Sequence, residues 1–222
     1  MSAVKLVVFD LDGTLVDSAP AIQKIARIML EELGAEPLDL AETRSFIGHG
    51  AAKLVERALA ARGLTADAVQ LAAHVERFEE LYAEAPGADN APFPGAEAAM
   101  LALKAAGFRL GLCTNKPMAP TLNLLDALGW GGMFDAVAAG DSLPVRKPDP
   151  AMPRLVLEKV GATGALYVGD SETDVETARG AGLTMALYAH GYRKTPLEQM
   201  DADFVFDHFD ALAPWVLTRS AA

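Results

Sequence analysis

Four aspartates stand at or just beyond the carboxyl ends of short apolar runs in this 222-residue chain: Asp10, Asp12, Asp170 and Asp174. In open α/β sheets, ligands bind outside the carboxyl ends of the strands, where the winding of the chain reverses. Carboxylates gathered there repel one another unless a cation neutralises them. Because Mg²⁺ is a hard cation that prefers oxygen ligands, the pattern predicts a magnesium site. For any one aspartate alone, a helix cap or a turn is the alternative.

The apolar runs themselves predict the strands of a buried parallel sheet. Residues 4–9 are apolar except for Lys5, which is typical of a strand covered on both faces. Similar runs lie at residues 108–113, 136–139, 165–168, 184–188 and 204–206. Helical patterns separate them at residues 96–106, 119–128, 150–160 and 173–181. This alternation predicts an α/β fold with a doubly wound parallel sheet.

One segment interrupts the alternation. Residues 19–85 contain no convincing strand and have helical patterns around residues 21–33, 51–61 and 67–84. Residues 85–94 are rich in Ala, Pro and Gly, which predicts a return linker. We therefore expect an α/β core domain formed by residues 1–16 and 86–222, with an all-helical cap domain formed by residues 17–85.

Composition and charge limit the possible partners. The chain is 51% apolar and 22% charged, which is ordinary for a globular protein, and no apolar run approaches the roughly 20 residues that span a bilayer. A single cysteine, Cys113, excludes an internal disulfide framework. The net charge of -11 argues against a nucleic-acid surface. We expect a cytoplasmic monomer or homodimer that binds neither membrane nor nucleic acid.

Four motifs carry a resemblance to a known family. The run FDLDGTL from Phe9 to Leu15 resembles the first signature of the haloacid dehalogenase superfamily, in the version that its phosphatases use. Three further signatures follow in the expected order: Leu112-Cys113-Thr114-Asn115, Arg146-Lys147-Pro148 and Gly169-Asp170-Ser171-Glu172-Thr173-Asp174. The resemblance covers essentially the whole chain. It implies a Rossmann-like core, a helical cap and a magnesium-dependent phosphatase activity on a small-molecule phosphate ester.

The resemblance also implies a role for each motif residue. Asp10 matches the nucleophile, whose carboxylate attacks phosphorus and forms an aspartyl-phosphate that water later cleaves. Asp12 would protonate the leaving oxygen and then activate the water. Thr114 and Asn115 would hold phosphoryl oxygens, and Lys147 would neutralise the nucleophile and the transferring group.

The expected magnesium ligands are Asp10, Asp12 and Asp170. Asp174 is expected beside them, either as a further ligand or as a residue that orients the others. Ser171 is expected to cap the helix that begins near Glu172.

Other branches of the superfamily fit the sequence less well. Dehalogenases and phosphonate hydrolases that resemble this fold lack a carboxylate at the position of Asp12. Sugar phosphomutases with a similar cap carry a histidine early in the first cap helix, near the place of Ile22 here, and residues 19–23 contain no titratable group. Hydrolysis is therefore favoured over mutase chemistry.

The sequence at residues 46–50, Phe-Ile-Gly-His-Gly, resembles the cap loop of phosphoglycolate phosphatases. His49 is expected to contact the substrate, with an exposed loop position as the alternative. Arg44 is expected at the surface, with pairing to a substrate carboxylate as the alternative, and Arg146 is left open between the two.

The sequence therefore predicts hydrolysis of a small anionic phosphate, with 2-phosphoglycolate first among the candidates. A broad sugar-phosphate or nucleotide phosphatase is the alternative within the family. A phosphotransferase and a non-catalytic phosphate-binding protein are the alternatives of another class.

Overall fold

A computed structural model of the protein describes residues 5–85 and 90–219. Eight strands lie in this part of the chain: β1 Leu6–Phe9, β2 Val16–Asp17, β3 Ala91–Pro92, β4 Arg109–Cys113, β5 Ala136–Ala138, β6 Leu166–Gly169, β7 Thr184–Tyr188 and β8 Phe204–Phe206. Six of them form a parallel sheet in the order β5-β4-β1-β6-β7-β8. The other two, β2 and β3, form a short antiparallel ribbon.

The helices follow in chain order: α1 Ala19–Glu32, α2 Leu40–Phe46, α3 Ala51–Ala61, α4 Ala68–Glu84, α5 Ala96–Ala105, α6 Met118–Ala127, α7 Ala151–Val160, α8 Glu172–Ala181 and α9 Leu212–Arg219. Short 3₁₀ turns lie at Leu197–Gln199 and Phe209–Ala211. No helix among the described residues is long and apolar enough to cross a lipid bilayer.

Helices cover both faces of the sheet. Along β1, Val7 and Phe9 point to one face and pack in a hydrophobic cluster with α5, α6 and α9. The alternate residues, Leu6 and Val8, pack on the other face with α7 and α8. Burial on both faces explains why the strands are continuous apolar runs, and it confirms the predicted doubly wound α/β sheet.

The chain reverses its winding direction beside β1. It places β4 and β5 on one side of β1, then returns to place β6, β7 and β8 on the other side. The carboxyl ends of β1, β4 and β6 are therefore neighbours at one edge of the sheet, where the four aspartates were predicted to gather.

Helices α1 to α4, residues 19–84, have a hydrophobic cluster of their own, and we call them the helical unit. Buried apolar residues from each long helix form this cluster, among them Ile25, Leu54 and Phe78. The β2–β3 ribbon carries the chain out of the core and back. The predicted absence of strands between residues 19 and 85 is confirmed.

Sequence patterns missed the shortest elements. The two-residue strands β2 and β3 are too short for periodicity, and α2 spans only seven residues. Helix α2 does carry a start signal, because the Asp39 and Glu42 side chains form a reciprocal capping box. The start of the second core segment, at residue 86, and part of the predicted return linker fall outside the described residues.

Candidate active site

Three of the four predicted aspartates converge at the carboxyl edge of the sheet. Asp10 follows β1, Asp170 follows β6, and Asp174 lies in the first turn of α8. Carboxylate oxygens of these three buried residues lie within 4.8 Å of one another. Such a group of hard oxygen donors could hold a metal ion.

The turn after β1 is closely packed against Asp170. Gly13 has φ +87°, and a Cβ at this position would lie 2.6 Å from Asp170 Oδ2 and 2.8 Å from the Tyr192 ring. The Thr14 hydroxyl donates to Asp170 Oδ1 at 2.6 Å, and the Tyr192 backbone N–H donates to Oδ2 at 2.6 Å. Only glycine fits the turn, and the Asp170 carboxylate is held from two sides.

Lys147 bridges two of the carboxylates. Its Nζ lies 2.8 Å from Asp10 Oδ1 and 2.7 Å from Asp174 Oδ1. The other oxygen of Asp174 accepts bonds from the Ser171 hydroxyl at 2.6 Å and from the Ser171 and Asp170 backbone N–H groups. Asp174 thus accepts three bonds on one oxygen and holds an ammonium group on the other, whereas each oxygen of Asp170 accepts a single bond, and this difference favours an orienting role for Asp174 over metal ligation. Ser171 caps α8 as predicted.

Asn115 fixes the backbone at Lys147. Its side-chain oxygen accepts from the Lys147 N–H at 2.9 Å, and its amide nitrogen donates to the Lys147 carbonyl at 3.1 Å. The same nitrogen donates to the Gly48 carbonyl of the helical unit at 2.9 Å. Thr114 is buried at the end of β4, where its hydroxyl accepts from the Lys116 N–H at 3.1 Å. The Lys147–Pro148 peptide bond is cis.

Asp12 has a different environment from the other aspartates. Both of its carboxylate oxygens lie 3.2 Å from Lys116 Nζ, and its side chain is not part of the three-carboxylate group. Lys116 Nζ also lies over the Tyr82 ring, 4.2 Å from the centroid. A lysine of the core and a tyrosine of α4 thus surround the predicted acid–base residue.

The predicted cap residues lie farther out. His49 is exposed and does not line the cavity described below, although its neighbours Gly48 and Gly50 do. Partial burial and the nearby Arg57 and Lys194 lower the pKa of His49. Arg44 is at the surface and pairs with Asp17 at 3.1 Å.

A cavity of about 290 Å³ separates the helical unit from the carboxyl edge of the sheet. Asp10, Asp12, Thr114, Asn115, Lys116 and Lys147 line it from the core. The helical unit contributes an apolar wall that includes Ile22, Ile47, Leu54, Phe78 and Tyr82. The predicted catalytic side chains therefore face a partly open cavity of the size of a small ligand.

Burial gives the carboxylates unusual proton affinities. Burial raises the pKa of Asp10 from its usual 3.8 to about 7; Lys147 lowers this pKa and Asp174 raises it. Burial and the charges of Asp174 and Asp10 raise the pKa of Asp170 well above its usual value. Burial opposes the charge of Lys147, but Asp10 and Asp174 outweigh it and raise the pKa of Lys147. Three carboxylates face one ammonium group, an excess of negative charge that a divalent cation would neutralise.

Four residues of the site were not among the sequence candidates: Thr14, Tyr82, Lys116 and Tyr192. Thr14 lies inside the first motif and Lys116 directly follows the second, so the positions of both held a signal. The sequence held no such signal for Tyr82, because this residue lies far from every motif along the chain and nothing in the pattern shows that it contacts them.

A family model of haloacid dehalogenase-like hydrolases matches residues 4–182, and the chain belongs to that family. The chain is 46% identical over 216 residues to the phosphoglycolate phosphatase of Cereibacter sphaeroides, an alignment that covers 97% of this chain and 99% of the relative.

Solved structures share the fold. A predicted phosphoglycolate phosphatase from Haemophilus somnus superposes with a TM-score of 0.89 at 30% identity, covering 97% of this chain and 99% of the other. CbbY from Rhodobacter sphaeroides, crystallised with xylulose-(1,5)bisphosphate, has a TM-score of 0.76 at 27% identity and covers 93% of this chain and 95% of its own.

The raised pKa of Asp10 has a consequence for stability. Between pH 3.8 and about 7 the folded, metal-free protein holds a proton on Asp10 that the unfolded chain has lost. Because the folded state binds more protons in this window, the free energy of unfolding falls as pH rises. Urea denaturation in a chelator across this range should show the fall, and Asp10→Asn should make it smaller. An equal fall in both proteins would contradict the assignment.

Proposed function

We propose that the protein is a phosphomonoesterase in which Asp10 is the nucleophile and Asp12 is the general acid and base. The observation that carries the proposal is the pairing of each aspartate with its own buried lysine, Lys147 and Lys116, in one cavity beside a carboxylate group able to bind a metal. Membership of the hydrolase family and the phosphatase relatives support it.

The chemistry proceeds in two transfers. Lys147 holds Asp10 Oδ1, and the Asp10 carboxylate attacks phosphorus while the bond from phosphorus to the ester oxygen breaks. Asp12 gives its proton to the departing oxygen. Asp12 then takes a proton from a water that attacks the aspartyl-phosphate, which releases phosphate and restores the Asp10 carboxylate.

Three core residues are proposed to bind the phosphoryl group during these steps. Lys147 supplies positive charge beside the nucleophile, and Thr114 and Asn115 lie at the end of the neighbouring strand β4 and line the same cavity. The side chain of Asn115 is occupied by hydrogen bonds to the Lys147 backbone. The proposed contact of Asn115 with phosphate is therefore made by its main chain. Charge and donors fixed before the reaction stabilise the transition state without reorganisation.

The donor set fits Mg²⁺. Asp10 and Asp170 are the proposed carboxylate ligands, and Asp174 positions Lys147. When bound, the ion draws charge from the phosphoryl oxygens and shields the approach of one anion to another. Ligation by Asp12 stays a prediction, since its carboxylate faces Lys116 in this conformation.

We propose 2-phosphoglycolate as the substrate. The phosphoglycolate phosphatase relatives align over nearly their whole length, and the cavity of about 290 Å³ is at the small end of ligand pockets. A broader sugar-phosphate or nucleotide phosphatase is the second candidate, which the fold similarity to CbbY with its bound bisphosphate favours. The cytoplasmic location, the oligomeric state and the contact of His49 with substrate stay predictions.

Phosphate release from a panel of esters with Mg²⁺ tests the function. Wild type should prefer 2-phosphoglycolate over sugar phosphates and nucleotides. Asp10→Asn should lose at least about 1,000-fold in kcat, because the amide is a poor nucleophile. Comparable rates on all esters would move the function to the broader phosphatase. An active Asp10→Asn protein would contradict the mechanism.

We also propose that the helical unit is the cap of the predicted domain division and that it opens to admit substrate. The Asn115–Gly48 bond, the Lys116–Tyr82 contact and the packing of α4 on α6 cover the cavity in this conformation. The proposed hinges are Asp17-Ser18 and residues 85–87, of which 86 and 87 lie outside the described residues.

A reversible lock tests this motion. Ala83 on α4 and Ala119 on α6 both line the cavity, and α4 packs on α6, so Ala83→Cys combined with Ala119→Cys is designed to tie the unit to the core; formation of the disulfide is checked first by the loss of two of the three free thiols. Turnover should vanish on oxidation and return on reduction, with each single cysteine variant as control. Burial raises the pKa of the native Cys113 thiol to about 12, which keeps it out of the exchange. Full turnover of the oxidised double variant would contradict the proposal.

A further inference from the structure

Among the described residues, two cationic side chains line the cavity, Lys116 and Lys147. They differ in the number of carboxylates that each already contacts. Lys147 Nζ lies within 2.8 Å of two carboxylates, Asp10 and Asp174. Lys116 Nζ has one carboxylate, Asp12, whose two oxygens each lie at 3.2 Å. An ammonium group has three N–H donors, so Lys116 keeps capacity for a further anionic acceptor.

The position of Lys116 suits the leaving group and not the phosphoryl group. Its ammonium lies beside Asp12, the proposed donor of the leaving group's proton, whereas Lys147 lies beside the nucleophile. Its side chain is only 5% exposed, so bulk water screens its charge weakly. An anionic atom of the leaving group would meet this charge once the ester oxygen is near Asp12.

Tyr82 supplies a second polar group at the same place. Its hydroxyl is buried, and its O–H has no hydrogen-bond acceptor among the described residues. A buried hydroxyl without a partner loses free energy relative to water, which a ligand acceptor would restore. Burial raises the pKa of this hydroxyl; Lys116 lowers the pKa and Asp12 raises it, so the hydroxyl lies within the field of both.

Apart from Tyr82, the side chains that the helical unit presents to the cavity include no donor for an anion. The helical unit presents Ile22, Ile47, Leu54 and Phe78 to the cavity, and its one acidic lining residue, Glu79, would repel one. Among the lining side chains on the Asp12 side of the cavity, Lys116 and Tyr82 are therefore the pair that can donate to a charged leaving group.

We propose that Lys116 and Tyr82 form the specificity subsite that binds the carboxylate of the leaving group. The inference rests on the proposed function and adds the residues that select its substrate. The Lys116 ammonium and the Tyr82 hydroxyl each donate one hydrogen bond to the carboxylate, one from the core and one from the helical unit. A substrate carboxylate thereby also links the two parts of the protein.

The test compares 2-phosphoglycolate with ethyl phosphate, the matched ester that lacks the carboxylate, and measures kcat/KM for each. Wild type should strongly prefer 2-phosphoglycolate. Tyr82→Phe keeps the ring over Lys116 but removes the hydroxyl, and Lys116→Met removes the charge at similar length. Each variant should lower the ratio of the two kcat/KM values by about tenfold or more, because each loses a hydrogen bond to a charged group. Lys53→Met, which changes an exposed lysine of α3, is the matched control.

A binding measurement distinguishes the loss of carboxylate recognition from an indirect effect of the same variants on Asp12. In the slow Asp10→Asn background, calorimetry should show that Tyr82→Phe weakens the binding of 2-phosphoglycolate by about tenfold. The binding of ethyl phosphate should weaken much less. Equal losses for both esters, or an unchanged ratio in variants of an enzyme that prefers 2-phosphoglycolate, would overturn the subsite and leave the proposed function intact. If the wild type hydrolyses neither ester, both the proposed function and the proposed subsite are contradicted.

Discussion

Three buried carboxylates within 4.8 Å of one another are the constraint around which the site is organised. Like charges in a poorly solvated place repel strongly, and burial together with the neighbouring carboxylates raises the pKa of Asp10 and of Asp170. Buried Lys147 compensates part of the negative charge. The Thr14 hydroxyl and the Tyr192 N–H hold the Asp170 carboxylate in place. What remains is an excess of negative charge suited to a divalent cation, and that cation would complete the site for an anionic substrate.

The sheet topology is what makes this crowding possible. Asp170 and Thr14 are 156 residues apart, yet their side chains bond because β1 and β6 are parallel neighbours with adjacent carboxyl ends. Asn115 at the end of β4 extends the arrangement, since it fixes the backbone of Lys147 and reaches Gly48 in the helical unit. Lys147, which contacts Asp10, and the helical unit that covers the cavity are thus connected through the side chain of Asn115.

In the proposed mechanism, two lysines divide the cavity into a phosphoryl end and a leaving-group end. Lys147 serves the phosphoryl end, where two carboxylates hold it rigidly. Lys116 serves the other end, where an aromatic ring of the helical unit covers it and a single carboxylate binds it more loosely. Because the first end is built entirely from the core, chemistry is separated from selectivity, which depends on what the helical unit brings to the second end.

The sheet and the strand-end aspartates could be predicted from local pattern, and the remaining motif residues from the resemblance to the family. Buried parallel strands are apolar runs, and residues that follow them must meet at one edge. Contacts between distant segments could not be predicted in this way. Lys116 and Asp12 are 104 residues apart, and no spacing in the sequence shows that they pair. The loop motif around His49 shows another limit of sequence patterns. Its neighbours Gly48 and Gly50 line the cavity, whereas the His49 side chain lies exposed outside it.

The central claim is that Asp10 carries the phosphoryl group during turnover. The most direct measurement is mass spectrometry of the peptide containing Asp10 after rapid acid quenching of the enzyme with 2-phosphoglycolate and Mg²⁺. We predict an added phosphoryl group on Asp10, absent from Asp10→Asn and from enzyme quenched before substrate is added. Phosphorylation at another residue, or phosphate release by an enzyme that never carries the group in a single-turnover time course, would contradict the account.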